Sequence, residues 1–209
     1  QASKAKMVQS RIKMLERIPK LDEIADIESL DFEFRHAPFT AKTLLEARDL
    51  SFGYTPDHLL FRHMNLTINA RDKFGVIGNN GKGKSTLLNV ISSGLIPVTG
   101  EIKVHPDMRL GYFGQTNIQR LNPKLTIEEE IEQTNPALTR TQVRNICGTM
   151  MFGGDLALKK VAVLSGGEKS RTLLGKILAH PSNLLLLDEP NNHLDMESID
   201  ALIESLQDF

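Results

Sequence analysis

Two stretches concentrate the residues able to do chemistry. The first is Gly78-Asn79-Asn80-Gly81-Lys82-Gly83-Lys84-Ser85, followed by Thr86. Its glycines let a backbone curl until several N–H groups converge on one point, which suits the oxygens of a phosphate chain. Lys84 adds a cation that can reach the outer phosphates, and the Ser85 hydroxyl is a hard oxygen ligand for Mg2+. Lys82 belongs to the same run, with its side chain free to point to solvent. The second stretch is Leu184 to Asp195, LLLLDEPNNHLD. Four leucines lead into Asp188 and Glu189, and a carboxylate pair there is costly unless it serves a cation or a proton. Asp188 suits a Mg2+ contact through water. Glu189, one residue on, suits a general base that orients or deprotonates water. His193 invites a catalytic or metal reading of its own.

Such a cradle works only between a strand and a helix, where the helix N-terminus adds partial positive charge. KFGVIG before it reads as a strand and LLNVISS after it as a helix. LLEARDLSF, MNLTI, EIKVH and MRLGYFG read as further strands, and NLLLLD as a short strand buried on both faces of a parallel sheet. Thr126 caps a helix over IEEEIEQ, with Glu129 as its capping-box partner. TRTQVRNICGTMMF, SGGEKSRTLLGKILAH and ESIDALIESLQDF read as helices. Met150 and Met151 are core filler, and Cys147 is a small buried hydrophobe in a helix. Before this α/β region, Ala5, Val8, Ile12 and Leu15 form one apolar stripe of a helix over 1–20 rich in Lys and Arg. Pro19 ends it, and six acids between Asp22 and Glu33 mark a junction.

Bulk properties exclude more than they identify. With 40% hydrophobic and 24% charged residues the 209-residue chain reads as a soluble domain with an appendage. Its net charge of −1 gives no overall bias towards nucleic acid, although residues 1–20 are locally basic. One cysteine forbids an internal disulfide and fits a cytoplasmic setting. No apolar run approaches the roughly 18 residues of a membrane span.

The chain resembles the ATP-binding cassette (ABC) family, on several motifs in the family's order. Leu164-Ser165-Gly166-Gly167-Glu168 resembles the signature motif. Gln115, after LGYFG, resembles the Q-loop glutamine. Tyr54, ahead of the phosphate cradle, resembles the aromatic that stacks on adenine, and Asn191 to Asp195 resemble the D-loop. The resemblance implies a P-loop NTPase fold of the ABC type, with a mostly parallel core sheet, an antiparallel β subdomain and a helical subdomain. It implies ATP and Mg2+ as ligands. Gly78 to Thr86 and Tyr54 would bind the nucleotide, Ser85, Gln115 and Asp188 the metal, and Glu189, Lys84 and Gln115 would serve catalysis. Two cassettes would meet head to tail, so that Ser165, Gly166 and Gly167 serve the ATP of the partner cassette.

Within that family, Glu168 and the EPNNHLD run resemble the ABC-F group, whose usual Thr is replaced here by Asn191. Members carry two cassettes in one soluble chain, and many act on the ribosome. Residues 1–40 resemble the end of the linker between the cassettes, which favours a basic arm near tRNA over a solvated helix, and 41–209 resemble the second cassette. The family's switch histidine lies one strand beyond the point where this sequence ends, and His193, in the D-loop, is no substitute. The resemblance therefore implies a piece that binds nucleotide but hydrolyses ATP poorly alone. The main alternative is the ATPase subunit of a membrane transporter. A chromosome-maintenance type of ATPase is disfavoured, since about eighty residues between Lys84 and Ser165 leave room for a single cassette only.

Overall fold

The computed structural model describes residues 32–55, 58–92, 94–192 and 194–209. The helix expected over 1–20, the acidic stretch up to residue 31 and His193 lie outside them.

Three antiparallel strands form one layer in the order β2-β1-β3: β1 (Thr43–Phe52), β2 (Phe61–Asn69) and β3 (Thr99–Val104). β1 is the central strand, with Leu45, Glu46 and Ala47 paired to both neighbours. Against this layer packs α1 (Lys84–Ile91), whose Val90 and Ile91 are buried with Leu44, Leu45, Leu50 and Phe52.

A second, parallel pair holds β4 (Leu110–Phe113) beside β5 (Leu184–Leu187), in register from Leu110↔Leu184 to Phe113↔Leu187. The LLLL run splits by pleat. Leu184 and Leu186 join the cluster under α1, while Leu185 and Leu187 pack against a separate helical cluster. That is why a strand buried on both faces reads as an unbroken apolar run instead of an alternation. At Gly111, opposite Leu185, a Cβ would lie 2.7 Å from Leu185 Cδ2, so the leucine would have to shift to admit one.

The helical layer contains α2 (Gln115–Ile118), α3 (Ile127–Glu132), α4 (Arg140–Thr149), α5 (Gly166–Ala179) and α6 (Met196–Asp208). The capping box expected between Thr126 and Glu129 is present. Thr139 with Gln142 and Ser165 with Glu168 form two more, on the same S/T-x-x-E/Q spacing. Two buried acids tie the helices together. Glu128 accepts from Arg140 and forms an ion pair with Arg144, and Glu130 accepts from Lys176 of α5. Cys147 and Met150 are buried as expected, and burial pushes the Cys147 thiol up to about 11. No helix among the described residues is long and apolar enough to cross a membrane.

One expected element is missing. KFGVIG is not a strand: residues 72–79 carry no regular structure and are exposed, with Ile77 97% accessible. A parallel strand needs a ladder partner and cover on its faces, and this segment has neither among the described residues. β5 likewise pairs only with β4 there, so the parallel sheet comprises two strands.

Candidate functional site

The phosphate cradle keeps its curvature without the preceding strand. Gly81 (φ 76°) and Gly83 (φ 93°) take left-handed backbone conformations that a Cβ disfavours. Gly83 is also the N-cap of α1. There α1 differs from α3, α4, α5 and α6, each of which has a side chain accepting from a first-turn N–H. α1 has none, and no acid in its first turn. Uncapped N–H groups at a helix start are donors ready for an anion.

Lys84 folds back over this loop. Its Nζ donates to the carbonyl oxygens of Gly78 (2.9 Å) and Asn79 (3.4 Å) and to Asn80 Oδ1 (3.2 Å). Asn80 thereby acquires a role beyond its place in the motif. Lys82 is exposed, as expected of a side chain pointing to solvent.

The fold brings the two chemical stretches into contact. β5 delivers Asp188 to the mouth of the loop, and the Ser85 hydroxyl donates to Asp188 Oδ1 at 3.0 Å across 103 residues of sequence. Glu189 follows, with Oε1 4.0 Å from Lys84 Nζ. Ser85 and Asp188 thus present two hard oxygens side by side, a donor set that fits Mg2+. The Asp188 N–H donates to the carbonyl of Phe113 (2.9 Å), so the end of β4 is locked beside it. Gln115 starts α2 two residues later and is exposed. Burial, and then the Asp188 charge, push the nearby Tyr112 phenol up to about 12.

Tyr54 meets the first turn of α1. Its hydroxyl shares a 3.2 Å hydrogen bond with Thr86 Oγ1, its ring meets Phe52 edge-on at 5.4 Å, and it remains 70% exposed. An aromatic face held beside the cradle and open to solvent is a platform for a flat ring.

Ser165, Gly166 and Gly167 are not brought to this cluster. Among the described residues none of their hydrogen bonds reaches residues 78–86. Ser165 instead caps α5: its Oγ accepts from the Glu168 N–H, and the Glu168 carboxylate accepts from the Ser165 N–H at 2.8 Å. The Ser165 backbone N–H first, and then the Ser165 side chain, hold the Glu168 carboxyl below the ordinary range, with Lys159 adding to the effect. The S-x-x-E spacing within the stretch that resembles the signature motif is itself the sequence signal of this cap. From Gly166 a groove of about 380 Å3 runs to Gln115, lined also by Ile118, Leu121, Val161 and Lys169.

A third connection was not legible. Arg171 of α5 pairs with Asp195, which caps α6 through the Ser198 N–H. Burial pushes the Asp195 carboxyl up, but its bonds from Ser198 and the Arg171 charge outweigh that and hold it low. The pair ties the helix that starts at Ser165 to the segment after Glu189.

Comparison with known proteins agrees with this geometry. Residues 61–192 match the family described as ABC transporter. The chain is 34% identical over 208 residues to the protein GCN20 of Saccharomyces cerevisiae, and 36% identical over 211 residues to ATP-binding cassette sub-family F member 3 of Mus musculus. Each alignment covers all of this chain but only 28% and 30% of those relatives, so the chain spans less than a third of their length. Among solved structures, an ATP-binding subunit of an ABC transporter superposes with a TM-score of 0.65 at 26% identity, over 79% of this chain and 74% of that one. The chain belongs to the ABC transporter family of ATP-binding cassettes and is similar along its whole length to sub-family F proteins.

Proposed function

We propose that this chain binds and hydrolyses ATP as one cassette of a two-cassette ABC-F protein that acts on the ribosome in regulating translation. The observation that carries the ATPase part is the 3.0 Å contact between Ser85 and Asp188, with Glu189 next to it and Lys84 4.0 Å away. In this reading the uncapped start of α1 and the loop N–H groups hold the phosphates. Tyr54 stacks on the base. Lys84 leaves its loop oxygens for the γ-phosphate, where it stabilises charge in the transition state. Glu189 takes a proton from the attacking water. Ser85, Asp188 and Gln115 would hold Mg2+, which when bound neutralises phosphate charge. Ser165, Gly166 and Gly167 serve the nucleotide of the partner cassette, consistent with their distance from the loop of their own chain.

The ribosomal role is supported by likeness to sub-family F relatives and by the basic character of residues 1–20. The test is to express the intact protein with Glu189→Gln, add ATP and sediment it with ribosomes. ATP-dependent co-sedimentation is the expected result. Recovery with membranes instead would favour a transporter subunit, the second reading, in which the groove between Gln115 and Gly166 would seat a membrane partner.

A further inference from the structure

Glu189 is held more tightly than a surface carboxylate needs to be. Its backbone sits at φ 48°, a left-handed conformation rare for a residue with a side chain, which persists only where the surroundings fix it. The surroundings here are one 3-10 turn, Pro190–Asn192. The Asn192 N–H donates to the Glu189 carbonyl at 3.1 Å, and the Asn192 side-chain amide donates back to Glu189 Oε2 at 2.7 Å. The turn therefore closes twice, through backbone and side chain. It leaves Oε1 as the oxygen on the Lys84 side, 4.0 Å from Nζ.

We propose that Asn192 is a positioning residue for hydrolysis. Its amide occupies one carboxylate oxygen of Glu189 and fixes the rotation of the group, so that the other oxygen faces the water to be activated. The proposal rests on the reading of Glu189 as general base. The Glu189 side chain is half exposed, so water can replace the amide as a donor if Asn192 is cut back. What water cannot replace is the orientation. The loss then falls on the chemical step and spares nucleotide binding, because Asn192 contacts none of the loop groups that meet phosphate. Asparagine also suits the task by charge. Its amide donates without a proton of its own to lose, whereas an aspartate of equal size would set a second negative charge against Glu189.

The test compares Asn192→Ala, Asn192→Asp and Glu189→Gln in the intact protein, measuring kcat and, separately, the Kd for ATP. The expected result is a kcat lowered roughly tenfold or more by Asn192→Ala, the scale of a misoriented catalytic group, and lowered further by Asn192→Asp. Kd for ATP stays within about twofold in both, which also reports an intact fold. Wild-type or raised kcat in Asn192→Ala would overturn the proposal, as would a Kd that rises as kcat falls or Asn192→Asp matching wild type. Sustained turnover by Glu189→Gln would remove the base reading and the proposal with it. If Glu189→Gln abolishes turnover while Asn192→Ala leaves it unchanged, the positioning role alone falls.

Discussion

Replacing Lys84 with methionine removes the ammonium and keeps most of the stem, and the structure sets how much affinity that costs. At an effective dielectric near 20, a unit charge about 4 Å from a phosphate oxygen is worth roughly 4 kcal/mol. Lys84 is not waiting free for that contact. Its Nζ already donates to Gly78 O at 2.9 Å and Asn80 Oδ1 at 3.2 Å, with a weaker 3.4 Å contact to Asn79 O. Surrendering two sound hydrogen bonds costs about 1 kcal/mol each. The surplus is about 2 kcal/mol, so Lys84→Met should raise the Kd for ATP roughly 30-fold. Stability should change little, because the loop oxygens it leaves lie in an exposed segment and return to water. Calorimetric titration with ATP at fixed Mg2+, paired with a urea melt, reads both quantities. A Kd within about threefold of wild type, with the melt unchanged, would show that Lys84 does not meet the phosphates. A loss of a thousandfold or more would show that the loop does not compete for the lysine.

Other expectations are shorter to state. Gly111→Ala places a Cβ 2.7 Å from Leu185 Cδ2 and 3.0 Å from Ile177 Cγ2, so it should lower stability by about 1–3 kcal/mol; an unchanged urea midpoint would contradict the packing described. Ser165→Ala should cost about 1 kcal/mol through the lost cap of α5. In the intact protein it should also cut ATP turnover, and full turnover with the stability loss would leave Ser165 a cap and nothing more. Glu128, Glu168 and Asp195 are all held below their ordinary values of 4.5, 4.5 and 3.8. For a depressed carboxylate the unfolded chain binds more protons in that window. Their stabilisation is complete above the ordinary values and is lost as pH falls through the lower folded ones. Thermal melts should therefore lose midpoint steadily from about pH 5 to pH 3, and a flat profile would speak against these bonds.

The chemical cluster was legible because its parts carry their mechanism in residue type and order. A glycine that must take φ 93°, a lysine and a hydroxyl after it, and an acid at the end of an apolar run each say what they need nearby. The contact of Ser85 with Asp188 meets that need across 103 residues. The roles of Asn80, Asn192 and Arg171 were hidden for the opposite reason. Each acts by holding a neighbour, and a holding role depends on where a side chain reaches. Asn80 and Asn192 sit in loops whose turns no periodicity describes. Arg171 looks like any helix cation until its partner, Asp195, is seen at the start of the next helix.

The contrast between LLLL and FGVIG shows where a short apolar run stops being informative. Both are followed by a turn with chemistry in it, and both read as buried strands. Leu184–Leu187 becomes one because β4 supplies a ladder on one edge and two clusters cover its two faces. Residues 74–78 are apolar too but have no such neighbours among the described residues, so their side chains lie open. Burial is a property of the company a segment keeps, and five residues cannot specify it. The cradle nevertheless holds its shape, because its anchor is on the other side. Val90 and Ile91 seat α1 in the cluster under β1, and Gly81 and Gly83 set the curve leading into it. The geometry that receives phosphate is thus fixed by the helix that follows the loop. Loosening that seat with Val90→Ala, at about 2 kcal/mol of stability, should weaken ATP binding more than any change at exposed Ile77.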